Sequence, residues 1–204
     1  MNQLKVLIIT TIICLSSAAQ AQFFKANVLG TVNFAQVDGD HIGGYNKFGL
    51  NPGIGIYHEM DDAKAYGFEI VYAQKGSKLV NDPDAAVQPI FIIKSAYIEF
   101  PMYFQMKLNT IDALSVHTGV SVGVNISGTI DDGPRVSDAE FNTIESAFLL
   151  GGSYHFSENL SFRVRHGLSI NRIGGNYPVR QRTFNRFGMY NRWFNVGFVF
   201  RLGG

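Results

Sequence analysis

From Phe24 to Leu202 the chain alternates, and in eight successive segments the apolar residues fall on even-numbered positions. In 96–108 they are Ala96, Ile98, Phe100, Met102, Phe104, Met106 and Leu108, opposed by Tyr97, Glu99, Pro101, Tyr103, Gln105 and Lys107. In 114–127, Leu114, Val116, Val120, Val122, Val124 and Ile126 oppose Ser115, His117, Gly119, Ser121, Gly123 and Asn125. The other segments are 23–36, 47–57, 66–75, 143–156, 160–171 and 190–202. A period of two means β-strands with one apolar face. These runs are about twice the length usual in soluble domains, and they match the 9–11 residues of a tilted strand that crosses a bilayer.

Four long connections (37–46, 76–93, 128–142, 172–189) alternate with three short ones (58–65, 109–113, 157–159). That asymmetry belongs to barrels with long extracellular loops and short periplasmic turns. No stretch after the N-terminal segment is long and apolar enough for a transmembrane helix, so a membrane-spanning chain must close its sheet. The expected fold is therefore all-β: an eight-stranded antiparallel up-and-down transmembrane β-barrel with a lumen filled by side chains, since eight strands leave no wider interior.

Residues 1–21, MNQLKVLIITTIICLSSAAQA, have the layout of a secretory signal peptide: Lys5, an apolar run from Val6 to Leu15, then small residues. Residues 22–204 form the barrel domain. Cleavage would remove Lys5 and the single Cys, leaving 16 basic against 16 acidic residues. That balance gives no reason to expect a nucleic-acid partner. The expected location is the outer membrane, with both termini in the periplasm.

A soluble lipocalin-like barrel would reverse the faces, with its apolar parity inward around a ligand. Glycines on the polar parity, aromatic residues near the strand ends and an amphipathic last strand argue for the membrane form. That last strand carries Asn195, Gly197, Phe200 and Leu202, which resemble the C-terminal signal read by the barrel-insertion machinery.

The polar parity places Glu69, Glu99 and Glu145 inside, together with Lys107, Arg163, Arg165 and Arg201. After Asn159 there are eight Arg and no acid, so the late arginines are expected to pair with the three glutamates. Ion pairing accounts for Glu69 and Glu99 better than a catalytic acid–base pair does, because a filled lumen offers neither a cleft nor contrasting environments. No catalytic residues, metal or cofactor are expected. His117 and His155 share the inward parity of adjacent strands and lack the further ligands zinc would need. His41, with Asp38 and Asp40, is read as turn chemistry. His166 falls on the lipid face without an evident role, and Pro101 is expected at a bulge or next to an unpaired carbonyl hydrated from the lumen.

The fourth long loop interleaves Arg172, Arg180, Arg182 and Arg186 with Tyr177, Phe184 and Phe187. It suits a phosphate- or carboxylate-bearing glycolipid, a polysaccharide or a partner protein. Alternatively it folds against the acidic third loop (Asp131, Asp132, Asp138, Glu140). The expected partners are outer-membrane lipid, the insertion machinery, and an envelope protein complex or surface glycan.

Tyr72-Ala73-Gln74-Lys75-Gly76-Ser77, followed by Tyr97-Ile98-Glu99-Phe100-Pro101, resembles the PorT-family outer-membrane β-barrel domain. That resemblance implies an outer-membrane barrel, and its namesake's association with type IX protein secretion implies a secretion-accessory role. A small structural or interaction barrel is the leading functional reading. The accessory role is the alternative, and a barrel enzyme or soluble ligand carrier ranks below both.

Overall fold

The computed structural model describes residues 24–40, 42–80, 90–108, 110–174, 182–183 and 186–202, with the backbone alone described at 112, 182–183 and 186–187. Eight strands form the wall: β1 (Lys25–Asp38), β2 in two stretches (Lys47–Leu50 and Gly53–Glu59), β3 (Lys64–Lys78), β4 (Ile92–Leu108), β5 (Ile111–Asp131), β6 (Ile144–His155), β7 (Leu160–Ser169) and β8 (Tyr190–Leu202). Each pairs antiparallel with its chain neighbour, and β8 closes on β1 from Ala26↔Leu202 to Asp38↔Tyr190. Outside the wall, Val136–Asp138 pairs back onto the end of β5, and Arg182–Thr183 pairs with Arg186–Phe187.

Closure fixes which parity faces out. Odd positions such as Asn33, Glu69, Tyr97 and Arg163 are buried, whereas Phe48, Ile54, Leu150 and Phe198 on the even parity are half exposed or more. The apolar face thus lies outside and the polar face inside, the reverse of a lipocalin-like carrier. A belt of this kind is stable only against hydrocarbon, since in water each such side chain would forfeit about 1.5–3 kcal/mol of burial.

Three features depart from strict alternation. Several strands run further than the pattern: β3 reaches Lys78, β4 begins at Ile92 and β5 continues to Asp131. These extensions carry Lys78, Lys94 and Thr129 outward, with Ile92 as the apolar exception, because they rise above the apolar belt. The bulge expected at Pro101 lies elsewhere, between Ala96 and Tyr97, where Ile126 of β5 is left over. Beyond it the inward parity of β5 becomes even, which buries Ile130 opposite Ile93. Pro101 itself holds register with Ser121 of β5. On its other side the pairing skips: Phe68 meets Met102 and Val71 meets Glu99, with Glu69 and Ile70 unpaired between them. The missing proline N–H is accommodated by this gap in the ladder.

Candidate functional site

The described interior divides into layers. Across the middle, Glu69 of β3 receives Arg163 Nη1 at 2.6 Å and Arg165 Nη1 at 2.8 Å, all three being buried. In an eight-membered ring β3 and β7 stand on opposite walls, so only a long side chain such as arginine reaches across. Arg165 also donates from Nε to His117 Nε2 (3.1 Å), which fixes His117 as an acceptor there. The Tyr103 ring lies 5.0 Å from the Arg165 guanidinium and 5.8 Å from that of Arg163.

Towards the long loops the pairing is inverted. One cation, Lys75, bridges two acids: Glu99 on the adjacent β4, and Glu145 on β6 at 3.2 Å. Its ammonium sits 3.1 Å from the centre of the Trp193 ring and 5.1 Å from that of Tyr97. Glu145 also accepts from Ser169 Oγ and from Asn191 Nδ2 at 3.1 Å. Gly167 makes room for this cluster, and Gly76 lets the β4 backbone approach beside it. A Cβ on Gly167 would fall 2.2 Å from the Trp193 indole, and one on Gly76 would fall 1.9 Å from the Ile93 carbonyl oxygen. Gly76 has φ +134°, which side chains rarely adopt. Of the residues carrying the PorT-like pattern, Lys75, Tyr97 and Glu99 thus meet in one buried place.

The third interior group is neutral. Asn195 Nδ2 donates to Thr31 Oγ1 (2.9 Å), Asn33 Oδ1 (3.0 Å) and Asn51 Oδ1 (2.8 Å), tying β8 to β1 and β2 at the closure. Of the other C-terminal positions, Gly197 pairs with Thr31, while Phe200 and Leu202 face outward.

The expectation that late arginines neutralise all three glutamates requires correction. Arg163 and Arg165 share Glu69 alone, and Lys75 holds the other two acids. Lys107 and Arg201 lie outside both clusters. They line a cavity of about 520 Å³ at the end bearing the termini, with Lys25, Tyr57, Glu59 and His155. Arg201 is 4.0 Å from Glu59 and 4.9 Å from the Tyr57 ring centre. His155 bonds Ser115 Oγ (2.9 Å), so His117 and His155 serve different layers. Trp193, the only tryptophan, went unread in the sequence. Its odd parity on β8 was the available signal.

At the opposite end the described interior turns apolar. Val37, Ile93, Ile130, Ile173 and Met189 form a buried apolar cluster, with Phe91, Ala139 and Phe141 against it. At this plug the bases of the third and fourth loops meet. Phe141 bridges to Gly174, Asn142 N–H donates to the Ile173 carbonyl, and Asn142 Nδ2 donates to the Arg172 carbonyl at 2.7 Å. The bases of the third and fourth loops therefore pack through apolar and backbone contacts. Asp131 and Asp132 instead cap their own turn, accepting from the backbone N–H of Gly133 and Arg135. Tyr177, Arg180 and Phe184 lie outside the described residues, as do the side chains of Arg182, Arg186 and Phe187. His41 and the 1–21 segment are likewise outside.

His166 acquires a setting on the outer wall. It faces Phe194 (ring centres 4.7 Å apart), and Tyr45 from the first loop lies over both, with Tyr45 Oη 3.2 Å from His166 Nε2. Asp38 meets Arg192 at 2.6 Å rather than joining an Asp–His set.

No protein-family model matches the sequence, and a search of curated proteins finds no match. Among solved structures the chain is similar to Neisserial surface protein A (NspA), at 16% identity and a TM-score of 0.49, covering 88% of this chain and 97% of that one. Ail, the attachment invasion locus protein of Yersinia pestis, is similar at 11% identity with the same coverage and TM-score. Its complex with the heparin analogue sucrose octasulfate gives 9% identity at the same TM-score. The barrel assignment itself rests on this chain's own strand pairing, closed from β8 to β1.

Proposed function

We propose that this protein is a small integral barrel of the outer membrane with a structural or interaction role, exerted through its long loops or as a subunit of an envelope complex. In this reading both termini lie in the periplasm and the long loops face outward. The observation that carries it is the pairing of an apolar outer wall with a filled interior: among the described residues, two buried charge clusters are followed by an apolar plug. A barrel so filled has only its rims and loops with which to act, and no catalytic role is assigned to it. The fourth loop, with its arginines and aromatic residues, is the surface we assign to a glycan or an envelope protein.

Planar-bilayer recording of the refolded protein tests this directly. No discrete conductance steps are expected, and a stable open-channel conductance would refute the plugged barrel.

A secretion-accessory role of the PorT kind is the second reading. It is favoured by the convergence of Lys75, Tyr97 and Glu99 in one cluster. Co-purification from native membranes separates the two: a stoichiometric envelope complex supports the accessory, and a solitary barrel excludes it.

A further inference from the structure

At the end bearing the termini the lumen opens as a cup. Its cavity of about 520 Å³ is lined from the strands by odd-numbered residues, among them Lys25, Tyr57, Glu59, Lys107, His155 and Arg201, so it belongs to the inward parity. A second hollow of about 260 Å³ shares Glu59, Lys107 and Arg201 and adds the β2–β3 turn with Asp61, Asp62 and Lys64. Sites for small ligands run to about 300–1,000 Å³. Deeper on the inward parity of β4, Gln105 and Tyr103 are buried and give the cup a floor. Contacts fix its walls. The Arg201 guanidinium lies 4.9 Å from the Tyr57 ring centre, Lys25 bonds Glu59 at 2.7 Å, and His155 bonds Ser115 Oγ at 2.9 Å.

Strand order sets the signs around this mouth. Arg201 near the end of β8 stands next to the Lys25–Glu59 pair of β1 and β2, 4.0 Å from that carboxylate. Asp61 and Asp62 follow in the β2–β3 turn, with Lys64 on Asp61 at 3.4 Å. Lys107 stands on β4, across the ring from Arg201, and Glu158 lies in the β6–β7 turn, across from Asp62. With the two pairs made, Arg201 and Lys107 remain against Asp62 and Glu158, and the signs alternate around the mouth. An anion would meet two acids there and a cation would meet two bases, so a ligand of one sign is disfavoured. Arg201 and Glu158 are the closest of the four along the chain's own bonding. The Arg201 backbone N–H donates to the carbonyl of Asn159, the residue after Glu158, at 2.8 Å. Two unlike charges thus line one cavity from adjoining elements, and among the described residues they form no salt bridge with each other.

We infer that this mouth is a binding site for a short peptide end whose last residue carries both a free ammonium and a free carboxylate, the chemistry of a diamino-acid stem of the cell wall. The carboxylate goes to Arg201 and the ammonium to Glu158, while Lys107 across the cup takes a further carboxylate of the stem. A phosphoethanolamine headgroup carries the same two signs, but the cup is lined by the inward parity and the lipid faces the even one. The inference rests on the outer-membrane reading, in which this mouth opens to the periplasm, and it gives the barrel a second working end besides its long loops.

The test uses the full chain refolded in neutral detergent micelles. Calorimetry follows its titration with N-acetyl-Ala-γ-Glu-diaminopimelate, whose only ammonium is on the diamino acid. The same peptide with that ammonium acetylated, the same peptide with its carboxylates amidated, and glycerophosphoethanolamine are titrated in parallel. The unmodified peptide is expected to bind, and each modified form to bind on the order of tenfold more weakly. Arg201→Gln and Glu158→Gln should each cost a similar factor, and Lys78→Gln at the opposite end should cost nothing. Equal binding of either modified peptide, or undiminished binding by both the Arg201 and Glu158 variants, would overturn the two-sign site. Binding of glycerophosphoethanolamine in place of the peptide would overturn the peptide source. Heat-modifiable gel migration of each sample reports barrel folding separately. A protein that never shows a folded-form shift refutes the membrane barrel, whereas a folded barrel that ignores the peptide refutes only the site.

Discussion

The two buried charge clusters solve one problem in opposite ways. At mid-barrel one acid, Glu69, serves two arginines, leaving a positive charge in excess. One layer closer to the loops, a single Lys75 serves Glu99 and Glu145, leaving a negative charge in excess. Neither group is neutral by itself, but stacked along the lumen they balance. The supports differ as well. The guanidinium cluster spreads its charge over Tyr103 and His117, planar partners matched to arginine's fixed fork. The ammonium is a point charge and is held against the face of Trp193, where an aromatic ring best meets a cation. A narrow lumen can therefore hold an imbalance if its neighbour along the axis holds the opposite one.

The largest effect is expected from removing the single cation. Lys75→Met leaves two carboxylates facing one another in a dry interior, at about 3–5 kcal/mol. Urea titration monitored by heat-modifiable migration should show most of the folded form lost, with partial recovery on adding Glu145→Gln. Unchanged stability in Lys75→Met would mean the acids are neutralised by other means. Glu69→Gln should cost less, about 2–3 kcal/mol, because the amide still accepts from one arginine while Tyr103 and His117 remain. If it cost more than Lys75→Met, the ranking of the two clusters would be reversed.

Gly167→Val tests the support of the lysine cluster. Its Cβ would enter the space of the indole, and overpacking of this kind costs about 1–3 kcal/mol. Trp193 is the sole tryptophan, so its emission should move to longer wavelength as the ring is displaced. An unaltered spectrum would show that the slot is dispensable.

The smallest effect concerns the rim. The Asp61 carboxylate accepts from the N–H groups of Ala63 and Lys64 in the short β2–β3 turn, and these bonds hold its pKa below the ordinary aspartate value. Because the folded value is depressed, its contribution is present above the unfolded pKa and is lost as pH falls through the folded one. Between pH 5 and 3 the urea midpoint of wild type should therefore fall slightly more steeply than that of Asp61→Asn. Parallel slopes would remove the turn from the account.

The wall was legible in the sequence because hydrocarbon enforces a period of two wherever it touches a strand. The same reason explains what was not legible. Above the belt nothing requires outward apolar residues, so the ends of β3 and β5 and the start of β4 read as loop. The plug, with Ile173 and Met189, lies in segments without alternation. Inside, the pattern gave the inward set but not the pairing. Glu69 and Arg163 meet because closure sets β3 opposite β7, a relation that no local stretch records. The register slip at Ile126 belongs to the same class, since only the partner strand reveals it.

The central claim, an apolar wall facing lipid around a polar, filled interior, can be tested along one strand. Single cysteines from Met102 to Lys107 would be labelled with a fluorophore in the reconstituted barrel and exposed to a quencher confined to the acyl chains. Strong quenching at 102, 104 and 106 with little at 103 and 105 is the predicted result. Uniform quenching, or quenching of the odd positions, would contradict the structure.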